Sequence, residues 1–158
     1  MDRIITDNLV IREFTLDDTS AYFRNNNEAH IKKYMANHSH NDEEEAREEI
    51  AGFLNDYKDM ATPCHFAITK DGILIGHIGI GESEISDGIY EICCGISKDY
   101  RGFGYAAEAV KAFVPWCKAT FGLDKIYASA NQKNIAAYTA LLNAGFILTD
   151  EKSNLYAL

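Results

Sequence analysis

The sequence predicts an α+β domain built on a mixed, mostly antiparallel sheet of six to seven strands, flanked by about four helices. Three observations carry that expectation. Short apolar segments bounded by turn residues cluster in the middle of the chain, stripes of period 3.6 lie on both sides of them, and a glycine-rich turn at residues 98–104 joins a strand to a helix. Strands grouped in this way, without strict strand–helix alternation, belong to the α+β class.

Leu9-Val10-Ile11-Arg12-Glu13-Phe14 reads as the first strand, and Thr15-Leu16-Asp17-Asp18 has the capping-box spacing that starts a helix. Asp42 and Glu45 repeat the cap, and Ala46, Ile50, Phe53, Leu54 and Tyr57 recur at helical spacing up to a break at Thr62-Pro63. Three segments, residues 65–69, 73–80 and 88–97, are separated by Lys70-Asp71-Gly72 and by residues 82–87, the pattern of an antiparallel meander. Beyond the glycine turn, Ala106, Val110, Phe113, Val114, Cys117 and Phe121 form a helical stripe that ends near Gly122. Pro115 interrupts it; a proline there removes a backbone hydrogen bond at a cost of about 3 kcal/mol, so a kink or an early end is expected. Residues 125–130 make a further strand, and Ile135, Tyr138, Leu141 and Leu142 mark a last helix capped by Gly145. Residues 146–148 and 155–158 close the sheet. The expected order is β-α-α-β-β-β-α-β-α-β-β over one domain, residues 1–158.

At 158 residues the chain is long enough for one core, and its 47% hydrophobic and 25% charged content is that of an ordinary globular protein. A net charge of −9 argues against nucleic-acid binding, which needs clustered Lys and Arg, and favours a cationic substrate. Part of that acidity is the run at residues 42–49, which reads as a solvated helix face. Apolar runs such as residues 78–80 fall far short of the roughly 20 residues that span a bilayer, so no membrane segment is expected. The first residues lack an apolar signal core, and the protein is read as cytoplasmic, in a reducing compartment. Cys64, Cys93, Cys94 and Cys117 lack the paired spacing of a zinc site and are read as free thiols, with Cys93 and Cys94 on opposite faces of a strand. His30, His38 and His40 are read as surface residues, since His38 and His40 show no third ligand; no metal is expected.

The strand ending near Ser97 runs through Lys98-Asp99-Tyr100-Arg101-Gly102-Phe103-Gly104 directly into a helix. Unpaired N–H groups at a helix N-terminus hold anions, glycines let the backbone approach and take positive φ, and Arg101 adds a cation. The turn alone is equally consistent with a connection that only needs flexible residues.

Arg101-x-x-Gly104-x-Ala106 resembles the acyl-CoA pyrophosphate signature of the GNAT acetyltransferases, and its surroundings resemble the Rim-type branch (RimJ/RimL-like), which acetylates ribosomal-protein N-termini. Residues 6–14 are similar to the opening strand of that branch, residues 71–79 to its third strand, residues 100–108 to its glycine turn and helix start, and Asn134-x-x-Ala137 with Gly145-Phe146 to its closing helix and strand. The resemblance covers nearly the whole chain and implies a GNAT-like sheet with acetyl-CoA as cosubstrate. It implies that the amides of Gly102, Phe103, Gly104, Tyr105 and Ala106, with Arg101, hold the pyrophosphate. The backbone near Ile96 and the side chain of Asn134 would meet the pantetheine arm. The strands at residues 88–97 and 125–130 would splay to admit it and expose a backbone N–H to the thioester carbonyl.

An alkylammonium of pKa about 10.4 must lose a proton before it attacks. Glu91 stands where the family often places a carboxylate and is the candidate base through a water; a strand carboxylate facing solvent or pairing with Lys is the other reading. The chain departs from its relatives at Ala137, usually serine in the Rim-type pattern, and at Leu141, tyrosine in many other members. Tyr138 is the candidate replacement acid, with water as its alternative and a packed stripe residue as the other reading. Glu108 is given a structural or helix N-terminal electrostatic role.

Gly102-x-Gly104-x-x-Ala107 also fits a dinucleotide fingerprint formally, but the meander before it and the placement of Asp124 ahead of its strand argue against that. The remaining alternatives are an acyl-CoA-binding module of weak activity and a small-molecule N-acetyltransferase acting on a polyamine or antibiotic amine. A protein N-terminus is the expected acceptor on resemblance, and a homodimer is left open.

Overall fold

Alternating apolar residues, broken at Asp71-Gly72, place the central hairpin, and the rest of the fold is laid on it. The computed structural model describes residues 3–60, 63–83 and 88–158. In chain order these form β1 (Ile4–Ile5), β2 (Val10–Arg12), α1 (Thr19–Asn26), α2 (Ala29–Tyr34), α3 (Glu43–Asp59), β3 (Cys64–Lys70), β4 (Ile73–Glu82), β5 (Tyr90–Ile96), α4 (Tyr105–Phe121), β6 (Tyr127–Ser129), α5 (Ile135–Ala144), β7 (Ile147–Asp150) and β8 (Leu155–Ala157). Short 3-10 turns at Leu16–Asp18, Ala36–His38 and Lys98–Tyr100 link them. The expected break at Thr62 and the turn residues 84–87 lie outside the described residues.

One eight-stranded sheet runs in the order β1-β2-β3-β4-β5-β6-β8-β7, and every neighbouring pair is antiparallel except β5 with β6. The α+β architecture is thus as expected, with one more strand. The addition is β1, two residues that pair Ile4 with Ile11 and Ile5 with Val10 and are too short to leave a pattern. The helix expected from residue 15 is instead a 3-10 turn followed by α1 and α2, because Glu28 takes extended backbone (φ −63, ψ 145) between them. The capping box that opens it is present: Asp18 accepts from the Thr15 amide at 2.8 Å and is gripped by both guanidinium nitrogens of Arg12 at 2.7 and 2.8 Å.

Two apolar layers enclose the sheet. On one face Phe14, Tyr22, Ala46, Ile50 and Phe53 pack beneath α1 and α3. On the other, α4 lays Val110, Phe113, Val114 and Cys117 over Phe66, Ile78 and Ile80. Pro115 does not end that helix, which continues to Phe121. Its ring and Lys111, whose carbonyl loses its donor, both lie on the exposed side, where solvent can donate to that carbonyl, while Trp116 stacks on Phe113 at 5.3 Å and holds the turn from beneath. Gly122 and Gly145 end α4 and α5 at φ 66° and 97°, as their C-cap positions require. Among the described residues no helix is long and apolar enough to cross a membrane.

Candidate active site

The parallel strands β5 and β6 share a single register pair, Glu91 with Tyr127, and part beyond it. The gap becomes a cleft of about 330 Å³ whose walls are β5 on one side and residues 128–131 with α5 on the other. A second hollow of about 410 Å³ continues it between the glycine turn and α5, sharing Ile96, Arg101, Ala106, Ala136 and Ala140. The ladder from β4 to β5 is hydrogen-bonded at both ends with the same parity, Ser83 N to Ile89 O at 2.7 Å and Ser97 N to Ile75 O at 2.8 Å. Alternation along an antiparallel ladder therefore turns the N–H groups of Cys94 and Ile96 away from β4 and toward the cleft.

At the inner end of the second hollow the backbone is shaped for an anion. Gly102 and Gly104 both sit at φ 84°, and a Cβ built on either meets no heavy atom within 4 Å, so the space above the turn is open. Gly104 is the N-cap of α4, whose first amides, Tyr105, Ala106 and Ala107, have no partner one turn earlier. Phe103 is 68% exposed and its ring stacks on Tyr105 at 5.7 Å.

Arg101 lines both hollows, but its guanidinium is already engaged. Nε donates to the Ile96 carbonyl at 2.6 Å and Nη2 to Glu28 at 2.6 Å. Glu28 also accepts from the Ser97 hydroxyl at 2.9 Å and from the Lys98 amide at 2.9 and 3.0 Å. The cation expected at the turn is thus paired within the chain, and Arg101 ties the strand end to the turn. Glu28 was invisible to sequence reasoning because its partners lie 69–73 positions away. Glu108 braces the far side: it accepts from Thr6 Oγ1 at 2.6 Å, the Asn8 amide at 2.9 Å and Asn8 Nδ2 at 3.0 Å. Burial alone would raise its pKa, yet these bonds outweigh it and hold the carboxyl below its usual value.

Asn134 is buried, lines the cleft and caps α5 by accepting from the Ala137 amide at 3.4 Å. Glu91 lies on the cleft wall and accepts a hydrogen bond from the Ser83 hydroxyl. Ala137 and Leu141 line the cleft as aliphatic surface. Tyr138 does not; it is 37% exposed and its ring lies 6.4 Å from that of Tyr156. The cleft mouth is bridged by Tyr34, whose hydroxyl donates to the Lys133 carbonyl at 3.2 Å, with the His30 ring packed against Tyr34 at 4.9 Å and tilted by 58°.

The remaining histidines are not on the surface as expected. His40 is held by Glu49 at 2.6 Å, and His38 packs its ring 5.7 Å from His65 and 5.1 Å from His77. All four cysteines are free, Cys64 and Cys117 buried and Cys93 and Cys94 half-buried. Burial pushes the Cys94 thiol up to about 12.

A family model described as an acetyltransferase (GNAT) domain matches residues 8–147. The uncharacterized N-acetyltransferase YnaD of Bacillus subtilis (strain 168) is 29% identical over 143 residues, 90% of this chain and 81% of YnaD. A GNAT-family acetyltransferase from Bacillus anthracis superposes with a TM-score of 0.77 at 24% identity, over 99% of this chain and 97% of the other. RimL, a ribosomal L7/L12 alpha-N-protein acetyltransferase solved with coenzyme A, superposes with a TM-score of 0.81 at 14% identity, over 99% and 97% of the two chains. The matched stretch begins before β2 and ends in β7, so every residue lining the cleft falls inside it, and the chain belongs to the GNAT family of acetyl-CoA-dependent N-acetyltransferases.

Proposed function

We propose that this acetyltransferase acts on the primary amine of a peptide or protein N-terminus, by direct attack with both substrates bound. The observation that carries the reading is the parting of β5 from β6, which leads from an open cleft straight to the positive-φ turn at Gly102 and Gly104. That turn fits a pyrophosphate, since the space a Cβ would fill is open and unpaired amides border it. The amides of residues 102–106 hold the pyrophosphate, Arg101 fixes the turn, and the backbone at Ile96 with Asn134 takes the pantetheine arm. Acetyl-CoA, when bound, supplies the acetyl group as an activated thioester.

The chain's own groups do the rest. The Cys94 N–H, turned into the cleft, donates to the thioester carbonyl as charge develops on its oxygen. Glu91, oriented by Ser83, accepts the amine's proton through a water, the C–N bond forms and the C–S bond breaks. Water also supplies the proton to the leaving sulfur, because Ala137 and Leu141 offer only carbon and Tyr138 packs toward Tyr156. A cationic N-terminus suits a chain of net charge −9, and the RimL likeness supports a protein acceptor.

The test is acetyl-CoA-dependent thiol release against a panel of N-terminal peptides, polyamines and aminoglycoside-type amines. Release confined to peptides whose acetylation maps to the α-amine supports the proposal. Turnover of polyamines or antibiotic amines alone would refute the acceptor, and tight acetyl-CoA binding with no turnover on any amine would point to a binding module.

A further inference from the structure

We propose that His38, His65 and Cys93 form a binding site for one borderline-soft divalent transition-metal ion, zinc by the chemistry of its donors, in the wall of the cleft. One nitrogen of each imidazole and the Cys93 sulfur all lie within 4.8 Å of one another. A tetrahedral ion with bonds of about 2.0–2.3 Å sets such donors about 3.3–3.6 Å apart, so side-chain rotation of about 1 Å closes the set. His38 and Cys93 line the cleft, so the fourth position is reached from it.

The sheet is built to bring these groups together. Register places His65, Gly79 and Cys93 in one row across β3, β4 and β5. Strands lie about 4.8 Å apart, so His65 and Cys93, two strands from each other, meet only if the side chain between them is missing. Gly79 supplies that gap: a Cβ there would stand 2.3 Å from His65 Cδ2. The next row repeats the device, with His77 opposite Gly95, where a Cβ would stand 2.8 Å from His77 Cε1. His38 then covers the row from the 3-10 turn Ala36–His38.

These imidazoles have donors and acceptors to spare. Nδ1 of His38 and of His65 and Nε2 of His77 are buried and find no hydrogen-bond partner among the described residues, a costly state for a polar atom. Burial lowers the pKa of His38 and of His65, which favours the neutral imidazole, the form that ligates. Glu49, hydrogen-bonded to Tyr22 and His40, adds a negative charge that favours a cation nearby. The Cys93 thiol, pushed up to about 12 by burial, gives up its proton as the metal–sulfur bond forms. Two imidazoles and a thiolate select zinc or cobalt over magnesium or calcium. The acyl-transfer reading is not needed for this site.

The full chain, metal-free in anaerobic reducing buffer, would be titrated with Co(II) as the probe. The expected result is one saturable site with a near-ultraviolet thiolate-to-cobalt charge-transfer band and release of about one proton per ion, reversed by Zn(II) and unaffected by Mg(II) or Ca(II). Cys93→Ser removes the band, Cys94→Ser, on the opposite face of β5, keeps it, and His38→Ala weakens binding by more than the ~10-fold that loss of an outer-shell partner costs. Should Cys93→Ser fail to fold by circular dichroism, His38→Ala on its short turn decides alone. No saturable band in folded wild type, a band that survives Cys93→Ser, or undiminished affinity in His38→Ala would overturn the proposal.

Discussion

Replacing Glu28 by Gln tests what holds the anion-binding turn in place. The carboxylate takes hydrogen bonds from Ser97 Oγ, the Lys98 amide and Arg101 Nη2, and the Gln amide would set an N–H₂ against donors that now meet an oxygen. The side chains of Arg101 and Glu28 are 25% and 14% exposed, so solvent screens the pair only in part. A hydrogen bond to a charged group contributes about 1.5–3 kcal/mol, and with that screening the loss should be about 2 kcal/mol. For a domain of this size that lowers Tm by about 4–8 °C. Acetyl-CoA affinity should fall as well, because Arg101 loses its anchor and the Ile96 end of β5 loosens. A double-mutant cycle with Arg101→Met, read by urea unfolding and by calorimetry with acetyl-CoA, should show a coupling of about 1–2 kcal/mol. A coupling near zero, or affinity that rises when Glu28 is neutralised, would refute the reasoning and make Arg101 a direct phosphate ligand restrained by Glu28.

Gly104→Ala should cost about 1–2 kcal/mol of stability from its φ of 84° alone, since its Cβ would clash with nothing, whereas Gly104→Glu should also abolish acetyl-CoA binding in a folded protein, measured by calorimetry. Glu91→Gln should lower turnover by about 10²-fold or more at low pH, with the deficit shrinking as pH rises toward the amine's pKa and acetyl-CoA affinity unchanged; an unaltered pH–rate profile would remove Glu91 from the mechanism. Glu108 has a depressed folded-state pKa, so its contribution is present above the ordinary carboxylate pKa and lost as pH falls through the folded value. Glu108→Gln should therefore flatten the acid limb of a stability–pH curve, and an identical limb in the variant would count against the Thr6 and Asn8 bonds.

Much of the fold was readable because its signals are local. The cap at Asp42, the stripe from Ala106 to Phe121 and the C-caps at Gly122 and Gly145 each depend on residues within one or two turns. The glycine turn could be placed for the same reason, and its cofactor followed from resemblance. What escaped depends on register or on distant partners. Glu28 meets Arg101 only after the chain has folded back, and His65 reaches toward Cys93 only because Gly79 falls between them, a fact set by two ladders. Pro115 does not end α4 early, one of the two outcomes expected of it, because the Lys111 carbonyl that it leaves without a donor lies on the exposed side, a placement that propensity cannot weigh. Tyr138 sits one turn before Leu141, yet the axis of α5 turns it toward Tyr156 and away from the cleft lining.

The lone rung between Glu91 and Tyr127 also has a mechanical meaning. It divides the sheet into a five-stranded slab, β1 to β5, and a three-stranded one, β6 to β8, joined by little main-chain bonding. What keeps the slabs aligned is side-chain packing, of α4 against α5 and of Ala128, Phe146 and Tyr156 into the shared core, with the Tyr34 to Lys133 bond across the opening. The smaller slab can then open at a lower free energy than the whole, and its amides should exchange with solvent first. A molecule wedged along the seam touches both slabs at once and acts as a keystone, so cosubstrate binding should slow exchange in β6 and β8, far from the glycine turn itself.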